Sequence, residues 1–280
     1  MTDRLTGCPA PAKLNTFLHV VGRREDGYHL LQSHFRLIDW SDTLDFARRD
    51  DGLIRRTHEL PGVPESADLT LRAARLLQER LGTPYGVDLT LHKVLPAGAG
   101  LGGGSSDAAT TLIALNRLWN GGLSRAQLME LGLQLGADVP FFLFGEDAFV
   151  EGIGERLTPY PGPERWFVVL WPGIHVPTAQ VFASPRLTRN TPIGTIASLA
   201  ATPLRNDLEP VVRALFPEVD AALEWLARHA GMARMSGSGS CVFAEFAEPS
   251  EAERIAAQVP SGWQAKVART LHRHPLHDWL

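Results

Sequence analysis

Apolar and polar positions in the first third of the chain follow the pattern of strands. Phe17–Val21, Phe35–Asp39 and Thr43–Ala47 are short apolar or alternating runs, which set one side of an extended chain against a core. The polar segments Gly22–Gly27 and Trp40–Asp42 separate these runs and are expected as turns. Behind Asp68, residues Leu69, Ala73, Leu76 and Leu77 fall on one helical face, predicting a helix over Leu69–Leu81. Val87–His92 alternates again, as a half-buried strand. A glycine-rich segment follows, then a helical pattern from Asp107 to Trp119 with Ala108, Leu112, Leu115 and Trp119 on one stripe. Ser124 with Gln127 three residues on is a capping-box signature that starts another helix, running to about Leu135.

The second half alternates the two periods: a strand at Trp166–Trp171, a polar loop region over Pro177–Pro203, and a helix with Val219, Leu223, Leu226 and Ala230 on one stripe. Strands at Ala233–Ser236 and Cys241–Phe246, a helix near Ser250–Ala257 and a strand near Gln264–Ala268 complete it. The class expected is α+β. With 280 residues the chain has room for two domains around a cleft. Three prolines between Pro159 and Pro163 mark the candidate boundary, giving expected domains 1–160 and 161–280.

Charge and cysteine usage narrow the function classes. The net charge is −4 and no basic block occurs, so the footprint of a nucleic-acid binder is missing. No apolar run approaches the roughly 20 residues that span a bilayer, and Met1–Lys13 has no apolar stretch of the secretory kind. Cys8 and Cys241 lie far apart without a pairing or zinc spacing. A cytoplasmic location is expected.

The segment Pro96, Ala97, Gly98, Ala99, Gly100, Leu101, Gly102, Gly103, Gly104, Ser105, Ser106 lies between a strand and a helix. Glycines let backbone approach phosphate oxygens, and the first N–H groups of a helix are unpaired donors at the positive end of its dipole. A plain flexible turn is the competing reading. Gly98, Gly100 and Gly103 satisfy the dinucleotide pattern, but no acidic residue follows about 20 positions on. The Walker pattern fails because no lysine follows the glycines, and the protein-kinase signatures are absent.

Three separated segments together resemble the GHMP kinase superfamily: Pro11-Ala-Lys-Leu-Asn15, the glycine segment continued through Asp107-Ala-Ala109, and Met235-Ser-Gly-Ser-Gly-Ser-Cys-Val-Phe243. The segments Gly22–Ser33, Leu135–Phe142, Gly152–Glu155 and Arg205–Glu209 are similar to the branch whose acceptor alcohol carries a cytidyl diphosphate. The resemblance spans about Cys8 to Phe246; it leaves the tail Arg269–Leu280 unmatched and is weak over Thr191–Pro203. It implies a two-domain fold, with an N-terminal domain like domain 2 of ribosomal protein S5 and a ferredoxin-like C-terminal domain. It also implies ATP as phosphoryl donor, Mg²⁺ on the nucleotide, small-molecule partners, neither nucleic acid nor membrane, and a monomer or weak homodimer. No metal-binding residue set is expected; Ser105 or Ser106 is the expected contact to magnesium or phosphate.

The same resemblance implies roles for particular residues. Asp138 becomes the catalytic base towards the acceptor hydroxyl; read alone, it is an aspartate capping the turn before Pro140. Lys13 becomes the cation that the glycine segment lacks; read alone, it is a surface lysine. Tyr28 and His29 would recognise the cytosine base, with Phe182 on its other face, Thr178 nearby and Asn15 contacting the base or the sugar alcohol. Ordinary packing stands as the alternative for Tyr28 and Phe182. Homoserine and mevalonate kinases, and a nucleotide- or RNA-binding relative without turnover, remain as alternatives.

Overall fold

The computed structural model describes residues 2–199 and 204–280. The chain opens with two long antiparallel strands, β1 (Arg4–Arg23) and β2 (His29–Arg49), then β3 (Ile54–Arg56), helix α1 (Leu69–Leu81), β4 (Gly86–His92), and helices α2 (Gly103–Leu118), α3 (Arg125–Leu135) and α4 (Val139–Phe144). Strands β5 (Ala148–Gly152) and β6 (Arg156–Pro159) complete the first sheet. β1 lies along one edge of β2; β5 pairs with the first part of β2 and β4 with its last part.

A second sheet begins after the proline-rich segment with β7 (Trp166–Trp171). Helices α5 (Thr178–Ala183), α6 (Ile196–Leu199), α7 (Glu209–Leu215) and α8 (Pro217–Ala230) follow, then β8 (Arg234–Met235), β9 (Val242–Phe246), α9 (Pro249–Ala256) and β10 (Gln264–Arg269). The order β10-β7-β9-β8, antiparallel throughout, is the 4-1-3-2 arrangement of a ferredoxin-like unit. The fold is the α+β class that the patterning implies.

Strand alternation explains how the two sheets share material. Val168 and Leu170 face α7, α8 and α9 in one core, whereas Phe167 and Val169 face a middle core containing Ala12, Leu14, Ile38 and Leu101. The helices α1–α4 cover the other side of the first sheet. The register of β1 on β2 slips between Pro11 and Ala12. That bulge turns successive even-numbered side chains from one face to the other, so Cys8 and Ala10 belong to the helix-side core and Ala12 and Leu14 to the middle one. Leu18 and Val20, farther along β1, pack into the core of the second sheet.

Several expectations change. Trp40–Asp42 is not a turn but the interior of β2: Trp40 lies in the slip, and Ser41 and Asp42 pair with Pro11 and Ala10. Its polar Asp42 is buried because it accepts hydrogen bonds from the Val94 and Leu95 amides and from Lys93 Nζ. The helix expected from Asp107 begins four residues earlier, at Gly103. The polar region Pro177–Pro203 contains α5 and α6; its residues 200–203 lie outside the described residues. The unmatched C-terminal tail is structural: Leu276 is buried in the helix-side core, and Leu271, Trp279 and Leu280 pack against that core.

Candidate active site

The three separated segments converge in a knot of backbone contacts. Lys13 N–H of β1 donates to Leu101 O at 2.9 Å, and Cys241 N–H donates to Ala99 O at 3.0 Å. Ser236 Oγ donates to Gly100 O at 2.9 Å and accepts from Asn15 N–H at 3.2 Å. The glycines are a requirement of this closeness. Gly100 has φ +78°, and a Cβ there would lie 2.0 Å from Ser236 O; Gly102 has φ +72°, and its Cβ would meet the Phe142 ring and the Lys13 stem. Asn206 holds the far side, its Nδ2 donating to Met235 O and Gly237 O. Asp207 accepts from Val20 N–H and Thr191 Oγ1, and Glu209 accepts from Met235 N–H. The segment Arg205–Glu209 is thus a brace for the Gly/Ser turn.

Gly102 caps α2 in the left-handed region, and Gly103, Gly104 and Ser105 form its first turn. Their amides have no intrahelical acceptor. The structure separates the two serines. Ser106 is buried, its N–H donating to Gly102 O and its hydroxyl to Pro11 O at 2.7 Å, while Ser105 is partly exposed.

Two cavities meet at this segment. One, of about 500 Å³, is lined by Leu60, Val63, Leu91 and Lys93 together with Pro96–Ser105. The other, of about 740 Å³, is lined by Lys13, Asn15, His29, Asp138, Thr178 and Phe182, among others. Gly98, Gly100 and Gly102 belong to both. The site residues expected from the sequence therefore come together around one shared wall, with Tyr28 on the rim, except Ser106, which is buried against β1 and lines neither cavity.

Lys13 and Asp138 lie at the junction. Lys13 is 3% exposed, its ammonium 2.5 Å from Asn15 Oδ1, 3.6 Å from Asp138 Oδ2 and 4.5 Å from the centre of the Phe35 ring. Burial lowers its pKa, opposed by the attraction of Asp138. Asp138 stands at the N-terminus of α4 but makes no capping hydrogen bond. Its side chain turns to Lys13 instead, which removes the turn-capping reading. The Gly152–Glu155 turn supports this placement: Gly154 packs on Ala137, and a Cβ there would lie 3.3 Å from Ala137 O. Asn15 is 1% exposed and spans Lys13 and Ser33 Oγ; its amide orients the lysine.

At the other end of the larger cavity stand rings. Tyr28 is 59% exposed on the turn between β1 and β2, and the neighbouring His29 ring lies 4.8 Å from that of Phe182 on α5. Thr178 Oγ1 and Ser238 Oγ are 2.7 Å apart, tying α5 to the Gly/Ser turn.

The sequence reading passed over Lys93. Its ammonium bridges Asp42 at 2.5 Å and Asp107 at 2.8 Å, and a Cβ on Gly103 would come within 3.3 Å of it. A cation therefore stands beside the first turn of α2. Burial pushes the Asp107 carboxyl up to about 7 against the pull of Lys93. Asp107 Oδ1 is buried and has no hydrogen-bond partner among the described residues. The available signal was position: Lys93 comes three residues before Pro96.

Comparison with known proteins places this arrangement. Residues 68–146 match the GHMP kinases N-terminal domain model, and residues 187–265 match the GHMP kinases C-terminal model. The 4-diphosphocytidyl-2-C-methyl-D-erythritol kinase of Azoarcus sp. is 60% identical over 276 residues, 99% of this chain and 98% of its own. That of Cupriavidus metallidurans is 57% identical, covering 97% and 95%. A crystal structure of 4-(cytidine 5'-diphospho)-2C-methyl-D-erythritol kinase superposes with a TM-score of 0.79 at 36% identity, over 95% of this chain and 98% of that one. A homoserine kinase from Cytophaga hutchinsonii shares the fold at 17% identity and a TM-score of 0.73. On matches that run nearly end to end, the chain belongs to the GHMP kinase family.

Proposed function

We propose that this chain transfers the γ-phosphoryl group of ATP to the 2-hydroxyl of 4-diphosphocytidyl-2-C-methyl-D-erythritol, a step of the non-mevalonate isoprenoid precursor pathway. The carrying observation is that two cavities share the wall Gly98–Gly102 while Lys13 and Asp138 stand where they meet. In this reading ATP occupies the smaller cavity, with its phosphates on the amides of Gly103, Gly104 and Ser105. The cytidyl alcohol occupies the larger one.

Asp138 orients the acceptor hydroxyl and receives its proton as the phosphoryl group arrives. Lys13, held by Asn15, pairs with that carboxylate and opposes the negative charge that gathers on the transferring group. Tyr28 and Phe182 enclose the base, and His29 meets its edge. Lys93 supplies the second cation, fixed by two carboxylates.

Hard oxygen donors suit Mg²⁺, and the unpartnered Asp107 Oδ1 together with the Ser105 hydroxyl provides two in the smaller cavity. These residues would hold the ion, which neutralises phosphate charge when bound. Among the described residues no cluster of three His, Cys, Asp or Glu side chains forms a metal site of its own.

The division into an ATP-holding part, 1–160, and a part closing the acceptor side, 161–280, belongs to the same proposal. So does a monomer or weak homodimer acting in the cytoplasm without a nucleic-acid partner. A net charge of −4 and two buried free cysteines support it. No helix among the described residues is long and apolar enough to cross a membrane.

The test is ADP release with the cytidyl alcohol, homoserine and mevalonate assayed in parallel. ADP is expected with the first alone; turnover with homoserine alone would overturn the substrate and leave the fold standing.

A further inference from the structure

His29 has a neighbour that decides which of its nitrogens carries the proton. Arg189 Nε lies 3.1 Å from His29 Nε2 and donates to it. A guanidinium has only donors, so His29 Nε2 is the acceptor and the proton of the neutral ring sits on Nδ1. No described residue hydrogen-bonds that Nδ1. The same guanidinium donates through NH2 to Phe182 O and Ser184 O, both at 2.8 Å, and through NH1 to Leu187 O at 3.2 Å. One side chain thus ties the hairpin carrying His29 to the end of α5 carrying Phe182.

Charge around the ring works in the same direction. Burial lowers the His29 pKa, and Arg189 and then Arg23 add to the fall. The nearby acid, Asp26, is occupied by Arg24 at 2.7 Å and by the Tyr28 amide. The imidazole stays neutral, with one free donor.

We infer that Arg189 is a positioning residue that locks His29 as the Nδ1–H tautomer, making the larger cavity a reader of the acceptor edge of cytosine. Cytosine presents acceptors at N3 and O2; uracil presents a donor at N3. A fixed donor therefore favours the first base, and a freely switching imidazole would not. The inference rests on the larger cavity receiving the cytidyl group. It adds a residue that stands behind the ring and outside the cavity lining.

Two measurements test it. Nitrogen-15 spectra of the native protein, with His29 assigned through a His29→Gln variant, are expected to show Nδ1 protonated and Nε2 bare. A proton on Nε2 overturns the inference whatever the cavity binds. Calorimetric titration with CDP and UDP then compares native protein with Arg189→Met and Arg189→Lys. The native preference for CDP is expected to fall about tenfold or more in both variants, with ATP affinity unchanged. Lysine fails because a point cation cannot span His29 and three carbonyls as the planar fork does. An undiminished CDP preference in Arg189→Met overturns the inference. Native protein that binds no CDP sinks the reading of the cavity itself, and this inference with it.

Discussion

The two ends of the cleft are built on opposite principles. At the end proposed to hold the phosphates the chain uses backbone: β1, the Pro96–Gly102 segment and the Gly/Ser turn interlock through amides and carbonyls, with glycines where any side chain would collide. At the end proposed to hold the base it uses side chains: the Tyr28 ring is 59% exposed, those of His29 and Phe182 lie 4.8 Å apart, and a single guanidinium ties these two residues together. Phosphates are alike in every nucleotide and can be met by a rigid mould of N–H groups. A base must be told from other bases, which needs donors and acceptors placed one by one.

Breaking each end should therefore fail in a different way. The largest effect belongs to Asp138→Asn at the junction: turnover should drop by about 10³-fold while ATP affinity, measured by calorimetry, holds. Normal turnover would remove Asp138 as the base. Next comes Gly100→Ala. With φ at +78° and a carbonyl 2.0 Å from the new Cβ, it should lower the unfolding free energy in urea by about 3 kcal/mol and weaken ATP as well. Gly62→Ala is the control: its φ is +75° but nothing lies within 4 Å, so only about 1 kcal/mol of backbone strain applies. If the two variants lose equal stability, the tight knot is not what the glycine protects. The smallest effect is Phe182→Ala. It should raise the KM for the cytidyl substrate about tenfold and leave kcat and the KM for ATP nearly unchanged. A matching rise in the KM for ATP would dissolve the distinction between the ends.

What the sequence made legible follows the same divide. Helix Leu69–Leu81 and strand Trp166–Trp171 match their patterns at both ends, because strong periodicity coincides with caps or turns. The Ser124–Gln127 capping box is present in full. The glycine segment could be placed because strand, turn and helix follow one another locally. Other features depend on partners distant in the chain. Glycine disfavours helix interiors, yet Gly103 and Gly104 are helical because Gly102 caps the turn and β1 packs against it. Trp40–Asp42 looks like a turn until Lys93, 51 residues away, takes its carboxylate. Arg189 is one arginine among many in the sequence, and its meaning lies 160 residues upstream at His29.

Strand β1 has a consequence for how the protein moves. It gives Ala10 to the core under the helices, Leu14 to the middle core and Val20 to the core of the second sheet. A hinge that swung the halves apart would strip neighbours from all three layers, so traffic through the cleft is cheapest at its rim, where the hairpin tip and α5 face each other. For the same reason neither half is a free-standing module: a chain severed at the proline-rich link would leave β1 with greasy side chains and nowhere to hide them.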